Sequence, residues 1–401
     1  MKTERLISKS QRFLMSTYGR YPIAFSRGKG CWLWDNDGKK YLDFTSGIAV
    51  TNLGHHHPAI IRALNEQAKK TITVCNLFQI EEQADLAEIL VKNSFADKVF
   101  FCNSGAEANE AAIKLSRKWG DANGRRYKIV TARGSFHGRT MGALSATGQK
   151  KYQEGFRPLL QGFKFIPYGE IEPLKRAVGD EKICAVVLEP IQGENGVVIP
   201  PDDYLKRVRE ICTKKNVLLI LDEVQVGLGR TGRLFAYEHS GIKPDIMTLA
   251  KALGGGIPCG ALLARDEIAI SFTPGSHGST LGGNPLAMRI GRAVLNAIIK
   301  NGLLDNAAKM GTYFLDGLKT LEKKYTSLIK EARGRGLILG LELKSKEKTK
   351  EAVSKCMEKG LLTILTVENV IRILPPLIVN KREIDFALEK LEDSFNEILN
   401  V

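Results

Sequence analysis

Through the middle of the chain, short apolar runs alternate with longer stretches whose apolar positions recur at helical spacing. Lys98 to Cys102, Lys128 to Thr131, Ala185 to Leu188, Val217 to Leu221, Ile246 to Leu249 and Ala261 to Ala264 are each four or five residues long, and each ends near a glycine or a polar residue. Runs of this length with little polar interruption predict strands buried on both faces, and their alternation with helical patterns predicts βα units around a mostly parallel sheet. Ligands of such sheets bind beyond the C-terminal ends of the strands, so the residues that follow each run are the first candidates for chemistry.

The ends of the chain read differently. Helical patterning from Pro285 through Lys324 gives way to an Arg-Gly segment at Arg333 to Gly336, a strand from Leu337 to Leu343 and a last helix from Glu383 to Leu399, which predicts a smaller α+β domain. Cys31 to Trp34 and Lys40 to Phe44 flank the turn Asp35 to Gly38 and predict a hairpin. At 401 residues the chain exceeds the size at which single cores usually stop growing, about 250 to 300 residues. The expected division is an N-terminal segment (1–50) that packs with the small domain, a large domain (51–290) and a small C-terminal domain (291–401).

Composition narrows the class without naming a function. Hydrophobic residues at 43% and charged residues at 26% exclude disordered and collagen-like chains. No apolar run approaches the ~18 residues that cross a bilayer, and Met1 to Arg12 has no secretory pattern, so no membrane partner and a cytoplasmic location are expected. Seven scattered cysteines without a C-x-x-C pair predict neither a disulfide framework nor a metal site. His55, His56 and His57, followed by Pro58, invite a metal reading, but adjacent side chains cannot all converge on one ion, and a loop before a helix is expected there. The net charge of +15 is spread through mixed runs such as Lys344 to Glu351, with no reader motif, so no nucleic-acid partner is expected.

Three segments could carry chemistry. Asn103 to Glu110 follows a strand run and opens a helix, where free backbone N–H groups and the dipole suit a phosphate; Ser104 with Glu107 three residues on is equally an ordinary helix cap. Asp222 places a carboxylate just after a strand, able to hold a cationic ring nitrogen, with Gln225 able to donate to an adjacent oxygen; a helix cap or a magnesium ligand would look the same, although no P-loop accompanies it. Lys251 ends another run before Gly254, Gly255 and Gly256, where partial desolvation would favour the neutral amine of Schiff-base chemistry; it could also be one exposed lysine among many.

Together these segments resemble the class III, ornithine-type aminotransferases of fold type I. Six motifs stand in that family's order: Asn103 to Glu110 (NSGAEANE), Phe136 to Thr140 (FHGRT), Glu189 to Glu194 (EPIQGE), Asp222 to Arg230 (DEVQVGLGR), Lys251 to Pro258 (KALGGGIP) and His277 to Pro285 (HGSTLGGNP). The resemblance implies an α/β fold with a large domain around a mostly parallel sheet and a smaller α+β domain, and pyridoxal 5'-phosphate as cofactor. Lys251 would hold the cofactor as a Schiff base and move protons, Asp222 would pair with the pyridinium nitrogen, Gln225 would contact the phenolic oxygen and Phe136 would stack on the ring. Ser104, Gly105 and Ala106 would bind the phosphate, Glu223 and Val224 would lie beside the cofactor, and Thr280 of a neighbouring subunit would complete the site of a homodimer.

The resemblance also implies a substrate class. Arg139 and Arg372 would bind carboxylates, Glu194 would mask Arg372 during one half-reaction, and Ser279 and Tyr18 would contact the donor. The FHGRT and HGST-x-GGNP wording is most similar to members that move the terminal amine of N2-acetyl-L-ornithine to 2-oxoglutarate, by ping-pong kinetics, giving N-acetyl-L-glutamate 5-semialdehyde and L-glutamate for arginine biosynthesis. Free ornithine, succinylornithine or succinyl-diaminopimelate are the alternative donors, and a basic regulatory or nucleic-acid-binding protein on a relic fold is the alternative of a different class.

Overall fold

A computed structural model describes residues 2–367 and 369–400. After a helix at Lys2–Phe13, β1 (Phe25–Lys29), β2 (Trp32–Asp35) and β3 (Lys40–Asp43) form an antiparallel meander. The β2–β3 turn is closed by Asp35, whose Oδ1 accepts from Asp37 N at 3.0 Å and Lys39 N at 2.8 Å, as short acidic side chains do in turns.

The central sheet has seven strands: β4 (Lys98–Cys102), β5 (Lys128–Ala132), β6 (Phe163–Ile166), β7 (Ile183–Leu188), β8 (Leu218–Asp222), β9 (Ile246–Leu249) and β10 (Gly260–Ala264), in the order β4-β10-β9-β8-β7-β5-β6. The pairings among β9, β8, β7, β5 and β6 are parallel, whereas β10 is antiparallel to both neighbours. The reason is the connection: only a short 3-10 turn at Lys251–Gly254 and a few residues separate β9 from β10, too little chain for the crossover that a parallel neighbour needs. Strand β6 falls outside the sequence expectation because Lys164 interrupts its short apolar run at the sheet edge.

A third sheet follows the helices Pro285–Lys300 and Leu303–Lys324: β11 (Ile329–Arg335), β12 (Ile338–Leu343), β14 (Ile364–Thr366) and β15 (Val370–Ile373), in the antiparallel order β11-β12-β15-β14. Between its strands lie the helix Lys346–Glu358 and β13 (Leu361–Leu362), which pairs in parallel with β3 and so adds a C-terminal strand to the N-terminal meander. The chain ends in the helix Lys381–Leu399, capped reciprocally by Asn380 and Glu383.

Three distant segments meet at Arg230. Its Nη1 donates to Leu337 O at 2.9 Å and to Pro375 O, its Nη2 donates to Asn52 Oδ1, and Asn52 Nδ2 in turn donates to Leu228 O at 2.9 Å. The guanidinium is buried and its partners are all neutral; burial alone pushes it down to about 9. The knot fixes β15 and the residues after it against the loop that leaves β8, and β15 carries Arg372. Gly336 makes the close approach possible: its φ is +57°, and a Cβ there would lie 2.5 Å from the Thr231 carbonyl carbon. Gly336→Ala should therefore cost about 1 to 3 kcal/mol in denaturant unfolding. Gly19→Ala, at a site with nothing within 4 Å of the new methyl, should change little, and equal effects would contradict the packing argument.

Candidate active site

A cleft of about 430 Å³ opens at the C-terminal ends of β4, β5, β8 and β9, with the beginning of the reversed strand β10 at its edge. Asp222 ends β8 and lies at the cleft floor, buried. Its Oδ2 accepts from His137 Nδ1 at 2.7 Å and Asn109 Nδ2 at 2.8 Å, and its Oδ1 accepts from Val224 N at 3.0 Å. Three donors compensate the desolvation of this buried carboxylate. Burial pulls His137 down, yet the bonded Asp222 carboxylate outweighs this and leaves it above the ordinary histidine range. Asn109 is fixed as well, since it also donates to His137 O at 2.7 Å while its Oδ1 accepts from Thr248 Oγ1 at 2.9 Å.

The turn after β4 faces Asp222. Ser104 caps the helix Gly105–Ala122 by accepting from Glu107 N at 3.2 Å, and the Glu107 carboxylate returns to Asn103 N. The first-turn amides of Gly105 and Ala106 lie beyond the reach of any helical acceptor and line the cleft with the positive end of the dipole. A Cβ on Gly105 would meet Val224 Cγ1 at 2.8 Å, so the smallest residue is required where the turn packs against the strand-end loop.

Lys251 lines the same cleft in the left-handed region, with φ +47°, a conformation that costs a non-glycine residue about 1 to 3 kcal/mol and collects at functional sites. Burial lowers its ammonium below the ordinary lysine range; the Glu194 carboxylate opposes this and the Arg372 guanidinium reinforces it. Arg372 is buried on β15, and its Nη1 donates to Glu194 Oε1 at 2.6 Å and to Gln225 Oε1 at 3.0 Å. Burial alone would raise the Glu194 carboxyl, but Arg372 and then Lys251 hold it below the ordinary range. Arg372 Nε is buried without a partner among the described residues.

The remaining expected residues are spread more widely. Phe136, Arg139, Val224 and Gln225 line the cleft. Glu223 does not turn into it: successive residues leaving a strand face opposite ways, and this carboxylate accepts instead from Ala236 N and Tyr237 N, at 2.6 and 2.7 Å. Ser279 sits one step behind, accepting from Asn103 Nδ2 at 3.2 Å, and Thr280 is exposed. Tyr18 is exposed too, its ring against Arg20. His57 caps the helix Pro58–Ala68, and among the described residues no cluster of side chains could hold a metal.

A family model for class-III aminotransferases matches residues 14–395. The chain belongs to that family. It is 53% identical over 395 residues to the acetylornithine aminotransferase of Caldanaerobacter subterraneus subsp. tengcongensis, covering 98% of this chain and 100% of the relative. It is 49% identical over 383 residues to that of Aquifex aeolicus, covering 95% and 99%. The fold matches, with a TM-score of 0.95 and 35% identity over 99% and 95% of the two chains, a Toxoplasma gondii ornithine aminotransferase whose active site is described as partly occupied by pyridoxal phosphate.

For a class-III aminotransferase the cleft has a fitting donor set: free amides at a helix N-terminus for a phosphate, a buried carboxylate for a protonated ring nitrogen and an amine of lowered basicity in the same cleft. Sequence reasoning assigned no role to His137, Asn109 or Glu189, although each lies inside a quoted motif. Glu189 lines the cleft, accepts from Phe136 N at 2.9 Å and is raised to about 8, burial being the main cause. A carboxyl raised in the folded state stabilises the fold fully below its unfolded value, near 4.5, and the contribution is lost as pH rises to the folded value, about 8. Glu189→Gln should remove a fall of up to about 1.4 kcal/mol per pH unit in that window, measured by denaturant unfolding across it. An unchanged slope would show that Glu189 is ionised in the native protein.

Proposed function

We propose that the protein transfers the terminal amine of N2-acetyl-L-ornithine to 2-oxoglutarate, giving N-acetyl-L-glutamate 5-semialdehyde and L-glutamate, as a step of arginine biosynthesis with pyridoxal 5'-phosphate as cofactor. The observation that carries this reading is a pair of arginines, Arg139 lining the cleft of Lys251 and Arg372 acting on its amine, one open and one masked. Arg139 has no ion pair among the described residues, whereas Arg372 is held by Glu194 at 2.6 Å. The donor is supported by the relatives' names, at 53% and 49% identity along nearly the full chain.

Pyridoxal phosphate, when bound, supplies an electron sink for negative charge that develops on the substrate carbon. The chain supplies the rest. Gly105 and Ala106 amides, with Ser104 beside them, would hold the phosphate; Asp222, fixed by His137, Asn109 and Val224, would pair with the ring nitrogen; Phe136 would cover the ring face and Gln225 would contact the phenolic oxygen. Lys251 Nζ would hold the cofactor, and its amine, whose basicity burial has lowered, is suited to take the proton from the donor's amine-bearing carbon. Arg139 binds the donor's α-carboxylate, and Ser279 contacts the donor as well. Arg372 stays neutralised by Glu194 until the α-carboxylate of 2-oxoglutarate or glutamate displaces it.

The same reading assembles two copies. Ile72, Leu77, Phe78 and Leu281 leave an exposed apolar surface around Thr280, and Asn76 ties the two segments through Ser279 O and Gly282 O, each at 2.9 Å. Thr280 then serves the phosphate site of the second copy, and Tyr18 closes over the donor. Residues 51–290 form the large domain, with 1–50 and 291–401 in the smaller one. Among the described residues no helix is long and apolar enough to cross a membrane, which suits a cytoplasmic enzyme.

A donor panel with 2-oxoglutarate should give the highest kcat/KM for N2-acetylornithine and parallel double-reciprocal plots, while equal efficiency with free ornithine or a succinylated donor would overturn the assignment. Lys251→Ala should lose at least about a thousandfold in kcat through loss of attachment and proton transfer. Glu194→Ala should improve the use of α-amino donors by unmasking Arg372, and an unaltered donor preference would exclude the masking role.

A further inference from the structure

Arg139 is held in an unusual way. Its guanidinium carbon lies 4.0 Å from the centre of the Tyr152 ring and 5.4 Å from that of Phe136, and among the described residues these ring faces are its only recorded interaction partners. The two rings are themselves packed edge to face, 5.6 Å apart at 82°. The backbone on the C-terminal side of Arg139 is fixed separately. Glu110 Oε1 accepts from Thr140 Oγ1 at 2.6 Å, Gly142 N at 2.8 Å and Ala143 N at 3.1 Å, capping the helix Met141–Ala146.

A guanidinium stacked on an aromatic face is oriented without using any of its N–H groups, because the attraction runs through the ring quadrupole rather than through donors. The planar fork is left whole for a carboxylate. This is the opposite of Arg372, whose fork is engaged by Glu194 and Gln225. We infer that Tyr152 is a positioning residue for donor recognition: its ring presents the Arg139 fork to the donor's α-carboxylate, so that donors carrying this carboxylate are preferred over otherwise identical amines without it.

The inference deepens the proposed function and rests on its assignment of Arg139 to the donor carboxylate. The test compares N2-acetylornithine with N-acetylputrescine, the same molecule without its α-carboxylate, as donors to the holoenzyme. Tyr152→Leu, which removes the ring, should reduce the ratio of the two kcat/KM values by about five- to tenfold, chiefly by raising KM for acetylornithine. Tyr152→Phe, which keeps the ring face, should retain the ratio to within about twofold.

Equal losses for the two donors in Tyr152→Leu, or the same ratio in all three proteins, would overturn the inference, since a purely structural role would not separate the donors. Loss of the ratio in Tyr152→Phe as well would move the role from the ring to the hydroxyl and also overturn it. If the wild-type enzyme prefers another carboxylate-bearing donor, the substrate assignment falls, while the same ratio taken with that donor and its decarboxylated counterpart still decides the role of Tyr152.

Discussion

A buried carboxylate at the end of a strand, with its oxygens in need of donors, is the constraint on which the rest of this structure turns. Asp222 lies out of water, where its oxygens need donors in place of hydration, and it receives them from three places: the helix after β4 (Asn109), the loop after β5 (His137) and its own strand-end loop (Val224). Thr248 on β9 locks Asn109 in turn. Supplying Asp222 therefore sets the relative positions of four strands, and the same positions bring the Gly105 turn and Lys251 to the cleft. The fold makes a site because the site's charge makes demands on the fold.

Three arginines show how context decides what a guanidinium does. Arg230 is buried among neutral acceptors and acts as a staple between β15, β12 and the loop after β8. Arg372, three residues before the Pro375 carbonyl that Arg230 binds, faces Glu194 and is neutralised by it. Arg139 is stacked on rings, and among the described residues nothing engages its donors. The last two thus differ in one respect that the fold sets: a carboxylate engages the fork of Arg372, and ring faces alone orient that of Arg139.

The strands of the central sheet were legible because burial on both faces writes itself as apolar runs, and of these only β6, interrupted by Lys164, left no such mark; β11, β14 and β15 of the third sheet, short or half-exposed, were not read from the sequence. The reversed direction of β10 was not legible from its residues; it follows from the length of its connection. Asp222 and Glu223 look alike in sequence, yet strand alternation sends one into the cleft and the other to the Ala236 and Tyr237 amides. His137 and Asn109 were hidden because their partner Asp222 lies 85 and 113 residues away. Lys251 is one of 59 basic residues, and what sets it apart is tertiary: a left-handed backbone, burial and the nearby Glu194 and Arg372. Thr280 and Tyr18 lie outside the cleft of a single chain, where no pattern within that chain can place them.

The central claim is that the cofactor is attached to Lys251 and to no other lysine. Borohydride reduction of the protein with its cofactor bound, followed by peptide mass spectrometry, tests it most directly. The account predicts one stable phosphopyridoxyl adduct per chain, on the peptide containing Lys251. An adduct on another lysine, or an unmodified Lys251 in a fully loaded protein, would contradict it.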